Sequence, residues 1–155
     1  MLDIGQFRRL VIRPTLTHLG LWSQAAEDLL LGTALQESGL RHLGQLGGGP
    51  ARGVYQIEPA THDDLIRNYL VHRRRLSGLV RALMAPAPGP VEQLATNLAY
   101  GTAIARLVYF RRPEPLPPPD DVEGLARYWK RHFNTEKGRG TVPAFVVNYK
   151  EHVDK

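Results

Sequence analysis

The chain has 155 residues, no cysteine, 43% apolar and 23% charged residues. That length is one domain, able to bury about 70% of its unfolded surface, and the composition excludes a disordered or fibrous chain. The absence of cysteine rules out a disulfide scaffold, a zinc ribbon, an iron–sulfur site and a thiol nucleophile, and leaves the redox compartment open.

Along the chain, Asp3, Arg8, Arg9 and Arg13 interrupt the first apolar residues, so no signal-peptide core of even about 7–15 residues forms. No apolar run approaches the roughly 18 residues of a membrane span, and the expectation is a soluble protein with no export signal. Asp3 is placed to cap a short helix carrying Ile4, Phe7, Leu10 and Val11, and Pro14 suits the first turn of another. Residues 23–38 predict a strong helix. Ala25, Ala26, Leu29, Leu30, Leu31, Ala34 and Leu35 make it apolar on most sides, the mark of a central, buried element, and Gly39 fits a left-handed cap. Residues 41–52 read as loop, with Gly47, Gly48, Gly49 and Pro50 its loosest part. Val54, Tyr55, Gln56 and Ile57 form the one short run that suits extended backbone, closed by Pro59.

Thr61 is expected to cap the next helix, with Asp63 and Asp64 in its first turn and Leu65, Ile66, Tyr69 and Leu70 on its apolar side. A further helix runs to about Met84, and Pro86, Pro88 and Pro90 then break the chain. Leu94, Leu98, Ile104, Leu107 and Val108 give the following helix its apolar face. After a stiff connector at Pro113, Pro115 and Pro117–Pro119, helices are expected at about 121–134 and 143–152. The expected fold is mainly α, with at most one small β-hairpin. It is a single domain over 1–155, in which 1–22 is a helical extension and 23–152 the core.

Glu37 is the residue of greatest chemical interest. It lies three positions after Ala34 and seven after Leu30, on the apolar face of a buried helix and in its last turn. Desolvation and the helix dipole both push such a carboxyl pKa upward, as a general acid near neutral pH requires. Its bland alternative is a solvated glutamate at a fraying helix end.

The neighbours decide between these. Glu37-Ser38-Gly39-Leu40 precedes a glycine-rich loop and then Gly53-Val54-Tyr55-Gln56-Ile57-Glu58-Pro59-Ala60-Thr61, with nineteen residues from Glu37 to Gln56. Asn97-Leu98-Ala99-Tyr100-Gly101-Thr102 follows, and then Phe133-Asn134-Thr135 with Gly138 and Gly140. In kind and order these pieces resemble the lysozyme-like domain of soluble lytic transglycosylases and goose-type lysozymes. That family pairs a helix-ending Glu-Ser with Gly-x-x-Gln-Ile/Leu-x-Pro-x-Thr, an Asn-Ile-x-x-Gly helix and a Tyr-Asn-Ala-Gly segment. The resemblance spans residues 25–149, and the closing segment is similar to compact phage-borne versions. It implies cleavage of the peptidoglycan glycan strand between N-acetylmuramic acid and N-acetylglucosamine. Glu37 would protonate the glycosidic oxygen, then act as base toward the muramyl 6-hydroxyl as the anhydro ring closes. It further implies a substrate role for Asn134 and, lacking an export signal, location in a virion or in a host cytoplasm with delivery to the wall.

The residues themselves support a single acid. A two-carboxylate glycosidase needs its second acid about 5–9.5 Å from the first. The stretch 41–57 holds no Asp or Glu, Asp63 and Asp64 read as helix-capping charges, and Glu58 is left as the one candidate second carboxylate. Gln56 suits a sugar-binding amide or an ordinary polar residue ending an extended run. Gly53 permits close backbone approach or merely turns the chain. Tyr55, Tyr100, Tyr128 and Trp129 offer faces for stacking on sugars or belong to the core, and Asn97 reads as a partnered buried amide.

Two departures from the family pattern matter. Phe133 stands where the family has the tyrosine that orients the acid, so either Tyr128 supplies that hydroxyl from one turn away or the acid is oriented differently. The polar loop serine is also missing, with Gln45 and Gly47 in its region. The six histidines are dispersed, so no metal site or cofactor is expected. His72-Arg73-Arg74-Arg75 is a basic run on a helix. Lys+Arg 20 against Asp+Glu 15 gives +5, and charge alone suits nucleic acid, an anionic membrane or an anionic polymer. The resemblance favours the wall polymer over nucleic acid or membrane, with other virion proteins as further partners. The rival readings are a non-catalytic structural protein that keeps the fold, a hydrolase using Glu58, and a basic nucleic-acid-binding protein.

Overall fold

The computed structural model describes residues 1–134 and 138–153, and they are mainly α-helical. Helix α3 (Gln24–Glu37) organises the rest. Ser23 accepts a hydrogen bond from the Ala26 amide to start it, and every residue from Ala25 to Leu35 is buried. Such a helix has no solvent face, which is why its apolar residues show no stripe. It is enclosed by the N-terminal helices and by α7 (Leu98–Phe110), α8 (Val122–Trp129) and α9 (Val142–Val153). The α3–α9 crossing is close because position 32 is glycine: a Cβ there would run into the Phe145 ring.

Residues 1–22 are part of the core rather than an extension of it. Helix α1 (Ile4–Phe7), capped by Asp3, runs through a π-helical turn (Arg8–Ile12) into α2 (Arg13–Leu19), and Phe7, Ile12, Leu16 and Leu19 are buried. A charge network ties this segment to α3. Glu27 is 0% exposed and accepts from Arg8 at 2.7 Å, Arg13 at 2.7 Å and Trp22 Nε1 at 3.1 Å, while Arg8 also reaches Asp28 at 2.6 Å. Burial alone would raise the Glu27 pKa. The hydrogen bonds from Arg13, Arg8 and Trp22 outweigh it and hold the carboxyl down to about 2.

Elsewhere element boundaries move for identifiable reasons. Helix α4 (Pro59–Asn68) starts at Pro59, whose fixed φ suits the first turn, so Thr61 lies inside the helix and Glu58 at its N-cap. A 3₁₀ turn (Leu70–His72) separates it from α5 (Arg74–Arg81). The single helix expected around Leu94–Val108 is two, α6 (Pro90–Thr96) and α7. They part at Asn97, which leaves helical backbone and caps α7 by accepting from the Tyr100 amide at 3.0 Å. Its Nδ2 donates to the Leu83 carbonyl at 2.8 Å, so the amide is partnered as expected, though half-buried rather than buried. Residues 54–57 form a turn rather than an extended run. The only β pairing among the described residues is two isolated bridges, Gly44 with Arg52 and Arg52 with Ile57. No helix of the described residues is long and apolar enough to cross a membrane.

The Glu27 network sets an acid limit. Its folded pKa lies below the unfolded value, so its contribution is present above about pH 4.5 and is lost as pH falls toward 2. Glu27→Gln should cost about 2–4 kcal/mol at pH 7, held near the low end of a broken buried pair because Arg13 reaches solvent. The difference between variant and wild type should shrink on acidification, as read by urea unfolding at pH 7 and pH 3.

Candidate active site

Glu37 is the last residue of α3, and its position follows from the burial of that helix. It is half-buried and lines an open cleft of about 760 Å³ with Gln56, Glu58, Phe133, Asn134 and Arg139. Burial pushes its carboxyl up to about 7, against a smaller opposing pull from the Lys130 ammonium. No described residue gives the carboxyl a hydrogen bond.

Ser38 joins the two halves of the cleft. Its buried hydroxyl donates to the Val54 carbonyl at 2.6 Å, also reaches the Ala34 carbonyl at 3.2 Å, and accepts from the Leu40 amide at 3.1 Å. The end of α3 is thereby fastened to the 52–57 turn. That turn is closed by reciprocal hydrogen bonds between Arg52 and Ile57, both 3.0 Å, and requires left-handed backbone at Gly53 (φ 81°) and Gln56 (φ 50°). Gly53 is packed so tightly on α6 that a Cβ would overlap the Leu94 carbonyl. The Gln56 amide nitrogen donates to the Gly53 carbonyl at 2.8 Å, so Gln56 presents a braced amide to the cleft, with its Oε1 accepting from no described residue.

The opposite wall rests on Lys130. A π-helical turn (Lys130–Asn134) extends α8, and the Lys130 ammonium donates to Asn134 Oδ1 at 2.7 Å, the Gly138 carbonyl at 2.9 Å and the Gly140 carbonyl at 2.6 Å. One cation thus organises this wall and lies close enough to Glu37 to oppose its neutralisation. Sequence reasoning missed it, although Lys130 and Asn134 stand four residues apart on an expected helix, the spacing of facing side chains.

The structure brings together Glu37, Gln56, Glu58 and Asn134, with Glu58 exposed. The tyrosines belong to the core and do not line this cleft. Tyr55 is 1% exposed and donates to Thr102 Oγ1 at 2.9 Å, since Thr102 itself donates to the Leu98 carbonyl. Tyr100, also 1% exposed, pairs with His62 Nε2 at 2.6 Å. Tyr128 donates to the Glu114 carbonyl at 2.9 Å, so it does not supply the hydroxyl missing at Phe133. Trp129 is fully buried against Phe145. Gly53 is buried against α6 and does not line the cleft. Thr135 lies outside the described residues.

One phenol near Glu37 is marked by no motif in the sequence. Tyr109 is buried, stacks on Phe133 with centroids 5.4 Å apart, and feels the Glu37 charge. Its hydroxyl is committed to Thr33 at 2.8 Å, because Thr33 donates in turn to the Leu29 carbonyl. No cluster of three or more His, Asp or Glu side chains placed to hold a metal occurs among the described residues.

Comparison of the chain with protein-family profiles, with curated proteins and with solved structures finds no match. The chemistry of the cleft therefore rests on its own geometry. A carboxyl that is neutral at pH 6 and ionised at pH 8 can both give and take a proton near neutrality.

That elevated pKa also burdens the fold. Folding favours protonated Glu37, so stability declines as pH rises from about 4.5 to about 7. Glu37→Gln should remove this slope, leaving the variant more stable than wild type by about 1–3 kcal/mol at pH 8. Equal pH dependence of the two melting curves would contradict the buried-carboxyl assignment.

Proposed function

We propose that this protein cleaves the peptidoglycan glycan strand at the N-acetylmuramic acid–N-acetylglucosamine β-1,4 bond, as a lytic transglycosylase of lysozyme-like type. The observation that carries the reading is Glu37, a carboxyl with a pKa of about 7 in a cleft shared with the braced amide of Gln56.

The protonated carboxyl gives its proton to the glycosidic oxygen, and the C1–oxygen bond breaks with charge developing on the sugar ring. The resulting carboxylate, its pKa now suited to act as base, takes the proton of the muramyl 6-hydroxyl. That oxygen closes on C1, giving a 1,6-anhydro end and restoring the acid. Water is not consumed and a second carboxylate is not needed. The Lys130 ammonium stabilises the carboxylate midway through the cycle, and Gln56 and Asn134 supply polar contacts for sugar substituents.

Glu58 lines the same cleft and supports one other outcome, hydrolysis with Glu58 as the second carboxylate. Mass analysis of digested muropeptides separates the two: anhydro ends follow from the single-acid route, reducing ends from hydrolysis. Glu37→Gln, nearly isosteric but unable to donate the proton, should lower turnover by about 10²–10⁴-fold while the domain stays folded. Wild-type activity should fall as pH rises through about 7, where the acid ionises. An inactive wild-type protein in a zymogram, or a fully active Glu37→Gln variant, would overturn the proposal.

A further inference from the structure

A second cavity, of about 710 Å³, opens between α4, α5 and the start of α6 and shares no lining residue with the Glu37 cleft. Its walls are apolar, formed by Ile66, Leu70, Val71, Val80, Met84 and Val91 around the buried His62–Tyr100 pair. Its one carboxylate, Asp63, is engaged by His62 Nδ1 at 3.1 Å, and two exposed arginines, Arg67 and Arg81, also line it. Val71 is 64% exposed, an apolar side chain facing water at a cavity that is itself apolar.

A stretch of the chain rich in arginine and free of carboxylates lies here. Residues 65–91 carry Arg67, Arg73, Arg74, Arg75 and Arg81 and no aspartate or glutamate. Of the chain's 20 basic and 15 acidic residues this leaves fifteen of each sign elsewhere, so this stretch alone matches the formal net charge of +5, with Asp63 and Asp64 of α4 and Glu92 of α6 at its borders. All five arginines are exposed, and none has a carboxylate within ion-pair distance among the described residues. Other arginines are matched, Arg52 by Glu92, Arg111 by Asp64 and Arg131 by Glu114. Arg73, Arg74 and Arg75 edge a smaller depression lined by Leu76 and Leu79, so α5 stands between two apolar hollows rimmed with guanidinium groups.

Clustered like charges repel one another, and an anionic partner relieves that repulsion. The hollows say what kind of anion. Single-stranded nucleic acid would need open aromatic faces for its bases, and the Tyr69 ring is already covered by the Arg73 guanidinium at 4.9 Å. Apolar hollows between cations match a surface that presents phosphates above hydrocarbon. We propose that the α4–α5 edge docks on an anionic phospholipid bilayer, its arginines on the headgroup phosphates and its apolar cavity taking up an acyl chain. The proposal does not rest on the glycan reading.

Co-sedimentation of the full chain with phosphatidylglycerol–phosphatidylcholine vesicles tests it, with pure phosphatidylcholine vesicles as the neutral comparison. Binding is expected on the anionic vesicles, weakening as salt rises, and not on the neutral ones. Arg67→Gln with Arg81→Gln should lower the partition coefficient about 25-fold, roughly fivefold for each arginine. Val71→Asp should lower it as well, and at this exposed position an unchanged melting temperature would show that the fold is intact. Arg127→Gln with Arg131→Gln, on α8 and the turn after it, should bind as wild type does. Equal binding to neutral vesicles, no binding to either, or the same loss in the α8 pair would overturn the proposal. So would tighter binding to duplex DNA at the same salt, or a dimer in vesicle-free solution that Val71→Asp dissociates. Glu37→Gln should bind vesicles like wild type, which keeps this outcome separate from the fate of the glycan reading.

Discussion

The burial of α3 on every side is the constraint from which the rest follows. A helix with no solvent face must end somewhere, and its last residue meets solvent only in part. Placing a glutamate there gives a carboxyl that is desolvated without being sealed from the cleft. The same enclosure dictates the small contact at Gly32, where α9 crosses closely, and the need to neutralise Glu27 at the other end of the helix. One end of α3 carries a carboxylate held ionised by two arginines. The other carries one that burial keeps neutral up to about pH 7, and their environments set the difference.

The cleft walls are held by polar groups that bridge elements distant in the chain. Ser38 reaches across sixteen residues to Val54, and Lys130 gathers Asn134, Gly138 and Gly140. Such bonds are partly shielded from water, where one that is satisfied rigidifies its surroundings and one left unmade is costly. Tyr55 and Tyr109 repeat one device on either side: a phenol donates to a threonine hydroxyl that itself donates back into its helix. Their hydroxyls are consumed in packing helices together, which leaves Gln56 and Asn134 as the polar side chains from the expected substrate-binding set that face the cleft.

The sequence shows the mainly helical fold and the buried character of α3, because both depend on local pattern: apolar density and a capping serine. The meeting of Glu37 with Gln56 is implied only by the family resemblance, since nineteen residues of loop and turn separate them and local pattern leaves the role of Gln56 open. The sequence misleads where local pattern competes with packing. Tyr55, Tyr100 and Tyr128 have the chemistry of sugar-stacking residues, and only the surrounding elements reveal that their faces are covered. The turn at 54–57 looks extended in sequence because Val, Tyr and Ile favour strands, and Gln56 is held in left-handed backbone by the hydrogen bonds that close the turn. Lys130 is half legible: its spacing to Asn134 can be read on a helix, but its other two partners are the Gly138 and Gly140 carbonyls, and a backbone acceptor leaves no mark in sequence.

The attachment of residues 4–19 to α3 limits how the molecule can be dissected. Glu27 is buried beneath Arg8 and Arg13, and Phe7, Ile12, Leu16 and Leu19 fill the space beside it. Trimming to a fragment that begins at residue 23, the N-cap of α3, would leave a bare carboxylate and an uncovered apolar wall on the helix that ends in Glu37. The minimal cooperative unit is therefore larger than its motif-bearing part, and the chemistry at one end of α3 depends on a shell assembled around the other.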